Sequence, residues 1–368
     1  MFAVELRDIT KTYNHVPILQ NLNIGVEAGT FTVIFGTPTC GKSVLVRLLT
    51  GLEKPDAGQL FLRETDVTSI DPGERNIGYV PQSFALYPHY SVHDNIAYPL
   101  SLMHVPRNEI EVTVRQVANQ IKIDHLLNKR PDQLSGGEKQ RVALARGIIK
   151  HTDIYVLDDP LVGLDFKLRE QLFDDLRNMQ ESLQATFVYT TSDPLETLAL
   201  ADQVAILDGG RIVETGDIER MYRDPQHVRS MELLGFPASN MLKGEIYPND
   251  GRTWCRTGVF EFPVDMTRGE DVADREHHID VAIRPQDVLL EFEQHSGCLT
   301  AQAEITLRDD LGGEVIVYLN VGGTPLITVL SHDSDHLIAQ DVLTIGIHPS
   351  AAVLFAPGTG RKIGHGVV

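Results

Sequence analysis

The stretch that most constrains this chain is Gly36-Thr37-Pro38-Thr39-Cys40-Gly41-Lys42-Ser43, and it does so through its flanks. Before it runs Phe31-Thr32-Val33-Ile34-Phe35, β-branched and aromatic, which reads as a strand. After it runs Val44-Leu45-Val46-Arg47-Leu48-Leu49, apolar at helical spacing. A G-x-x-x-x-G-K-S pattern alone can be a structural glycine turn, but between a strand and a helix it has the context of a phosphate cradle. Gly36 and Gly41 let the backbone curl, so the loop's N–H groups point inward. The helix N-terminus adds positive potential. Lys42 is placed to reach the β- and γ-phosphates of a nucleotide, and Ser43 to offer its hydroxyl to Mg²⁺.

Taken in order, residues 1–35 read as strands, with Val4, Leu6 and Ile9 spaced for an edge sheet. Tyr13 ends the first of them, where it either packs or stacks on a nucleotide base. Ile77-Gly78-Tyr79-Val80 reads as a buried strand leading into Pro81-Gln82-Ser83. From about 84 to 150 helical periodicity takes over, as in Ile110 to Ile121, and predicts an inserted helical subdomain. Within it Leu134-Ser135-Gly136-Gly137-Glu138 opens an amphipathic helix, a second N-terminus suited to an anion. Apolar strands follow at 154–157, 186–191 and 203–207; the first ends in Asp158-Asp159 and the second in Ser192-Asp193. Strands alternating with helices predict a parallel α/β sheet with its ligand at the strands' C-terminal ends. After Gly235-Phe236-Pro237 the composition shifts to short strands divided by Gly, Pro, Asn and Asp. That predicts a boundary at 236/237, with an OB-like all-β barrel, or a pair, over 237–368.

The chain of 368 residues is long enough for two domains. Its 32 basic and 51 acidic residues give a net charge of −19, which argues against nucleic acid or an anionic membrane surface as the main partner. Cys40, Cys255 and Cys298 are widely spaced and form no C-x-x-C, so a reducing compartment is expected. The N-terminus carries acid early and lacks a secretion-signal core, and no apolar run approaches the roughly 18 residues of a membrane span. The expectation is a soluble protein whose membrane role, if any, comes through partners.

A phosphate loop, an LSGGE helix start and a strand ending in acid, in that order, resemble the ATP-binding-cassette ATPases. The tail resembles the barrel domain of carbohydrate-importer ATPases of the maltose and glycerol-3-phosphate type, in Ala282-Ile283-Arg284-Pro285 and Leu311-Gly312-Gly313-Glu314. The stretch Gln82 to His89 resembles the same subfamily. The resemblance implies a P-loop cassette followed by a TOBE-like domain, with ATP and Mg²⁺ as ligands. Tyr13 would stack on adenine, and Gly36 to Ser43 would hold phosphates. Ser43, Gln82 and Asp158 would serve Mg²⁺. Ser135, Gly136 and Gly137, with Asp165, would serve a nucleotide held by a second ATP-binding subunit. Two integral-membrane permease subunits and, indirectly, an extracytoplasmic solute-binding protein are the implied partners. The implied location is the cytoplasmic face of a bacterial or archaeal inner membrane.

Two departures separate binding from hydrolysis. Where the family has Asp-Glu, this chain has Asp158-Asp159. The carboxylate meant for the attacking water is thereby drawn back by about 1.5 Å, one carbon–carbon bond, and a misplacement near 1 Å can cost about 10²-fold. Where the family has Thr-His-Asp, this chain reads Thr191-Ser192-Asp193, and losing a positioned acid–base group costs about 10²–10⁴-fold. The D-loop Leu161-Val162-Gly163-Leu164-Asp165 also lacks its usual polar residue. The expected catalytic set is therefore Asp159, Gln82 and Ser192, in a chain that pairs with a different ATPase. The alternatives are a homodimer with a working site and a non-catalytic, nucleotide-gated regulator.

Overall fold

In a computed structural model the chain is described at every residue except 165, 267–277, 291–296, 333–337 and 339–340, and the side chain of Phe166 is also left aside. Asp165, expected at the nucleotide, lies outside the described residues. The chain divides into two compact units, Met1–Ile218 and Glu219–Val368.

The first unit holds two sheets. An antiparallel one has the order β2-β1-β4-β5, from β1 (Phe2–Tyr13), β2 (Val16–Glu27), β4 (Ala57–Leu62) and β5 (Thr65–Asp66). The other has the order β10-β9-β3-β8-β7-β6. Its members are β3 (Phe31–Phe35), β6 (Gly78–Val80), β7 (Ile154–Asp158), β8 (Thr186–Thr191), β9 (Gln203–Asp208) and β10 (Arg211–Asp217). From β9 to β6 its pairs are parallel, and β10 adds antiparallel to β9. β3, β7 and β8 are buried at every residue. That is why they read as continuous apolar runs, as strands covered on both faces do.

Helix α1 (Lys42–Thr50) buries Val44, Leu45, Val46, Leu48 and Leu49 in one cluster with Leu6, Ile24 and Leu60 of the antiparallel sheet and Ile34, Val156 and Val188 of the parallel one. Its C-terminus is closed by Arg75, 2% exposed, which donates to the carbonyls of Leu48 and Leu49 at 2.6 and 2.9 Å. The helical region contains α2 (Val92–Leu102), α3 (Arg107–Gln120) and α4 (Gly136–Ile148). Helices α5 (Phe166–Leu183) and α6 (Pro194–Leu200) complete the unit.

The division falls earlier than the compositional shift at 236. Two short helices, α7 (Ile218–Arg223) and α8 (Val228–Leu233), lead into the second unit. Met231 of α8 packs on Ala282 and Phe355, and the Val228 N–H donates to the Gly360 carbonyl at 2.7 Å, so α8 is tied to the β-strands by packing that composition does not reveal. Six strands close a barrel in the order β11-β12-β13-β21-β20-β14: β11 (Asn240–Asn249), β12 (Arg252–Thr257), β13 (Glu261–Met266), β14 (His278–Ile283), β20 (Val353–Phe355) and β21 (Lys362–Gly366). Closure removes the unpaired edges an open sheet would expose. A five-stranded sheet follows the order β15-β19-β16-β17-β18, from β15 (Val288–Leu289), β16 (Leu299–Asp310), β17 (Glu314–Val321), β18 (Thr324–Ser331) and β19 (Val342–Ile347). The barrel and this sheet share one apolar core that includes Phe262, Val281, Val317 and Ile345.

Candidate nucleotide site

Parallel register assembles the site. Phe35 pairs with Thr191 and Asp158 with Thr190, so the C-terminal ends of β3, β7 and β8 set Gly36, Asp159 and Ser192 side by side. Two glycines are fixed by geometry. A Cβ on Gly36 would stand 2.3 Å from the Leu207 carbonyl oxygen and 2.7 Å from Cys40 Sγ, and Gly41 caps α1 at φ +114°. Lys42, 8% exposed, is fully employed. Its ammonium donates to the carbonyls of Gly36 at 2.7 Å and Thr37 at 2.9 Å, and to Ser192 Oγ at 2.7 Å. Cys40 Sγ, at 4.0 Å, is a fourth and weaker acceptor for its three donors. Cys40 belongs to the loop, and burial pushes its thiol up against the opposing pull of Lys42.

Ser43 Oγ donates to Asp158 Oδ1 at 3.4 Å, and Thr190 Oγ1 donates to the same oxygen at 2.9 Å. Asp158 is buried, and that burial pushes its carboxyl above the ordinary range while the Thr190 and Ser43 hydroxyls pull it down. Asp159 turns into the left-handed region at φ +45°, its N–H held by the Thr190 carbonyl at 3.0 Å. Gln82 Nε2 reaches Asp159 Oδ2 at 3.4 Å. Burial raises the Asp159 carboxyl; Lys42 opposes this most, Asp158 reinforces it, and Arg169 opposes it.

A cavity of about 630 Å³ opens here. Of the residues expected at the nucleotide, Tyr13, Pro38, Thr39, Gly41, Lys42, Ser43, Gln82, Asp159 and Ser192 line it. Ile18, which the sequence did not single out, and Val162 of the D-loop add apolar wall. Tyr13 is anchored rather than free: its hydroxyl bonds Glu53, and Arg47 reaches the same oxygen at 3.4 Å. Ser135, Gly136 and Gly137 head α4 and do not line this cavity. Ser135 Oγ accepts from the Glu138 N–H at 3.3 Å while Glu138 bonds the Ser135 N–H at 2.7 Å, a reciprocal cap. Gly137 has no room for a side chain, since a Cβ would meet Leu168 at 2.0 Å.

Sequence reasoning missed the layer beneath. Thr190 holds both Asp158 Oδ1 and, at 3.1 Å, the Asp159 N–H. Its signal was the pair Thr190-Thr191 closing an otherwise apolar strand. Glu196, 2% exposed, accepts from the Tyr189 and Thr191 hydroxyls at 2.7 Å each, and burial raises its carboxyl. Arg169 bonds Asp193. Nothing in the spacing of Arg169 and Glu196 announces either role.

A glycine loop wrapped on a buried lysine, a serine–aspartate pair beside it and a parallel sheet behind define a P-loop nucleotide-binding unit. Residues 19–162 match the family described as ABC transporter, and residues 281–355 match the TOBE domain. The chain is 34% identical over 364 residues to the sn-glycerol-3-phosphate import ATP-binding protein UgpC 1 of Rhizobium etli, covering 98% of this chain and 99% of that one. It is 32% identical over 361 residues to the maltose/maltodextrin import ATP-binding protein MalK of Vibrio parahaemolyticus, covering 96% and 95%. A solved dimer of the ATP-binding cassette MJ0796, in a post-hydrolysis state bound to ADP and Pi, aligns with TM-score 0.54 and 27% identity over 58% of this chain and 98% of that one. The chain belongs to the ATP-binding proteins of ABC transporters, and it is an ABC-type ATPase. Among the described residues no helix is long and apolar enough to cross a membrane.

Proposed function

We propose that this chain is the ATP-hydrolysing subunit of an importer for a carbohydrate or polyol, glycerol and glycerol phosphates included, and that it works with a second, different ATPase. Two full-length relatives carry import of maltodextrin and of glycerol-3-phosphate in their names, which supports the solute class. The pairing rests on one observation: Lys42 is buried and bonded to the loop carbonyls of Gly36 and Thr37, while the rim holds Asp159 at 3.4 Å from Gln82 and Ser192 turned onto Lys42. Ser43, Asp158 and Gln82 supply the hard oxygen donors that suit Mg²⁺, which takes few protein ligands beside substrate phosphates and water. Bound there, Mg²⁺ would neutralise phosphate charge. The chain's own residues orient the nucleotide: Tyr13 at the base, the loop N–H groups and Lys42 at the phosphates. Ser135, Gly136 and Gly137 would complete the partner ATPase's site, and Asp165 would join them. At the cytoplasmic face of a bacterial or archaeal inner membrane the chain would dock on two integral-membrane permease subunits, which would carry the solute, fed by an extracytoplasmic binding protein.

The test is MgATP turnover by the purified chain, with Lys42→Ala as blank and ATP binding measured in parallel. Tight binding with turnover near the blank supports the paired reading. In the assembled transporter, Ser135→Arg should then abolish coupled hydrolysis while Asp159→Asn leaves most of it; equal loss from both sinks the asymmetry. A homodimer is the second reading, favoured by the like-with-like dimer of the MJ0796 cassette and by a carboxylate, Asp159, still lining the cavity. Robust turnover by the chain alone would select it.

A further inference from the structure

Beneath the cavity runs a connection that the roles above leave unused. Arg169 sits in the first turn of α5 with its guanidinium facing three groups. It donates to Asp193 through Nη1 and to the Leu164 carbonyl through Nη2 at 3.3 Å, and its Nε stands 3.8 Å from Glu196 Oε1. That Nε is buried and makes no hydrogen bond. The segment it grips is short and held on both sides. Thr191 Oγ1 donates to Glu196 Oε2 at 2.7 Å, and the Asp193 N–H donates back to Thr191 Oγ1 at 3.0 Å. Asp193 Oδ1 caps α6 by accepting from the Leu195 N–H at 2.8 Å. Between these two fixed residues stands Ser192, whose hydroxyl accepts from Lys42 at 2.7 Å.

We propose that Arg169 is a positioning residue: by clamping the 191–193 segment to the Leu164 carbonyl it holds Ser192 on the Lys42 ammonium, where the serine competes with nucleotide phosphate. The competition follows from a count of donors. An ammonium has three N–H groups, and the short bonds of Lys42 go to the oxygens of Gly36, Thr37 and Ser192, with Cys40 Sγ a distant fourth acceptor at 4.0 Å. A phosphate oxygen must displace one of them. The two carbonyls belong to the loop that also wraps the phosphate, whereas Ser192 belongs to a separate strand end and is the acceptor released without unwrapping the cradle. The guanidinium fork suits the clamp because it bonds in two directions at once, which a lysine ammonium on a flexible stem does less rigidly.

The inference rests on nucleotide occupying this cavity and is independent of which ATPase the chain pairs with. The experiment is MgATP affinity of the purified full chain, by equilibrium binding, for wild type, Ser192→Ala, Arg169→Gln and the double variant, with Lys42→Ala as the site control. Hydrogen bonds to charged groups contribute on the order of 10-fold in an equilibrium, so Ser192→Ala should bind about 10-fold more tightly. Arg169→Gln should move in the same direction, and the double variant should match Ser192→Ala alone, as coupled neighbours do. A purely structural arginine gives the opposite sign, lower thermal stability with weaker binding, and its effect adds to that of Ser192→Ala. Either that result or no change in Ser192→Ala overturns the proposal. Should Arg169→Gln fold poorly, Asp193→Asn removes the ionic partner while keeping the capping oxygen, and the same non-additivity with Ser192→Ala is required. If the wild type fails to bind MgATP, the nucleotide reading itself falls; if it binds and the cycle is additive, only the clamp falls.

Discussion

The two ends of the cavity are built differently. At the cradle, geometry is imposed by backbone: a glycine with no space for a Cβ, a second in the left-handed region, and a buried ammonium with each donor used. At the rim, geometry depends on side-chain reach: Asp159 is linked to the exposed Gln82 by one 3.4 Å contact, and Ser192 is held by one bond to Lys42. Backbone cradles tolerate few substitutions and announce themselves in sequence. A rim of side chains can lose a methylene or a ring without disturbing the fold, so binding and hydrolysis can part company in one molecule.

The comparison breaks most visibly at the cradle. Lys42→Ala should weaken MgATP binding by at least about 10²-fold, as loss of a buried charge facing phosphate does. Titration with a fluorescent ATP analogue measures it, and near-native affinity would mean that the loop backbone alone carries binding. The rim is sharpened by Asp159→Glu, which lengthens the carboxylate side chain by one methylene. Single-turnover phosphate release should rise by about 10²-fold with affinity for MgATP unchanged. An unchanged rate would mean that the reach of Asp159 does not limit hydrolysis.

Legibility in sequence follows the same division. Gly36, Lys42 and Ser43 were readable because their types are dictated by backbone and phosphate, and β3, β7 and β8 because burial on both faces leaves an unbroken apolar run. The barrel unit was readable as short strands between turn residues, but not that the compact unit takes in α8: Met231 packs on Ala282 and Phe355 and the Val228 N–H bonds the Gly360 carbonyl, contacts far apart in sequence. Arg169, Thr190 and Glu196 were missed for a related reason. Their partners are fixed by tertiary structure: Thr190 bonds Asp158 and Asp159 across the β7–β8 pairing, Glu196 of α6 bonds back to Tyr189 and Thr191, and no local spacing encodes a bond such as that between Arg169 and Asp193.

A third substitution asks whether the cradle's rigidity is as strict as its contacts imply. Gly36→Ala places a methyl 2.3 Å from the Leu207 carbonyl oxygen, a backbone atom of β9 that cannot rotate away. Overpacking of this kind costs about 1–3 kcal/mol, and calorimetry should show the melting temperature falling while MgATP affinity falls with it. A variant as stable as wild type would mean that β9 yields, and that the loop is more compliant than the rim.

The smallest effect lies under the rim, at Glu196. Its carboxyl is raised in the folded chain chiefly by burial, with the Thr191 and Tyr189 hydroxyls pulling the other way. The folded state therefore binds this proton more tightly than the unfolded chain does. The stability gained is full below the unfolded carboxyl's pKa and is lost as pH rises through the higher folded one. Glu196→Gln keeps an oxygen for both hydroxyls and removes the titration. Thermal unfolding of the nucleotide-free chain from mildly acidic to neutral pH should thus fall less steeply in Glu196→Gln than in wild type, with ATP affinity nearly unchanged. Parallel curves would mean that Arg169, at 3.8 Å, compensates the buried carboxylate in full. The rim would then rest on an ion pair as settled as the cradle's lysine, and the contrast between the two ends would be confined to Asp159 and Ser192.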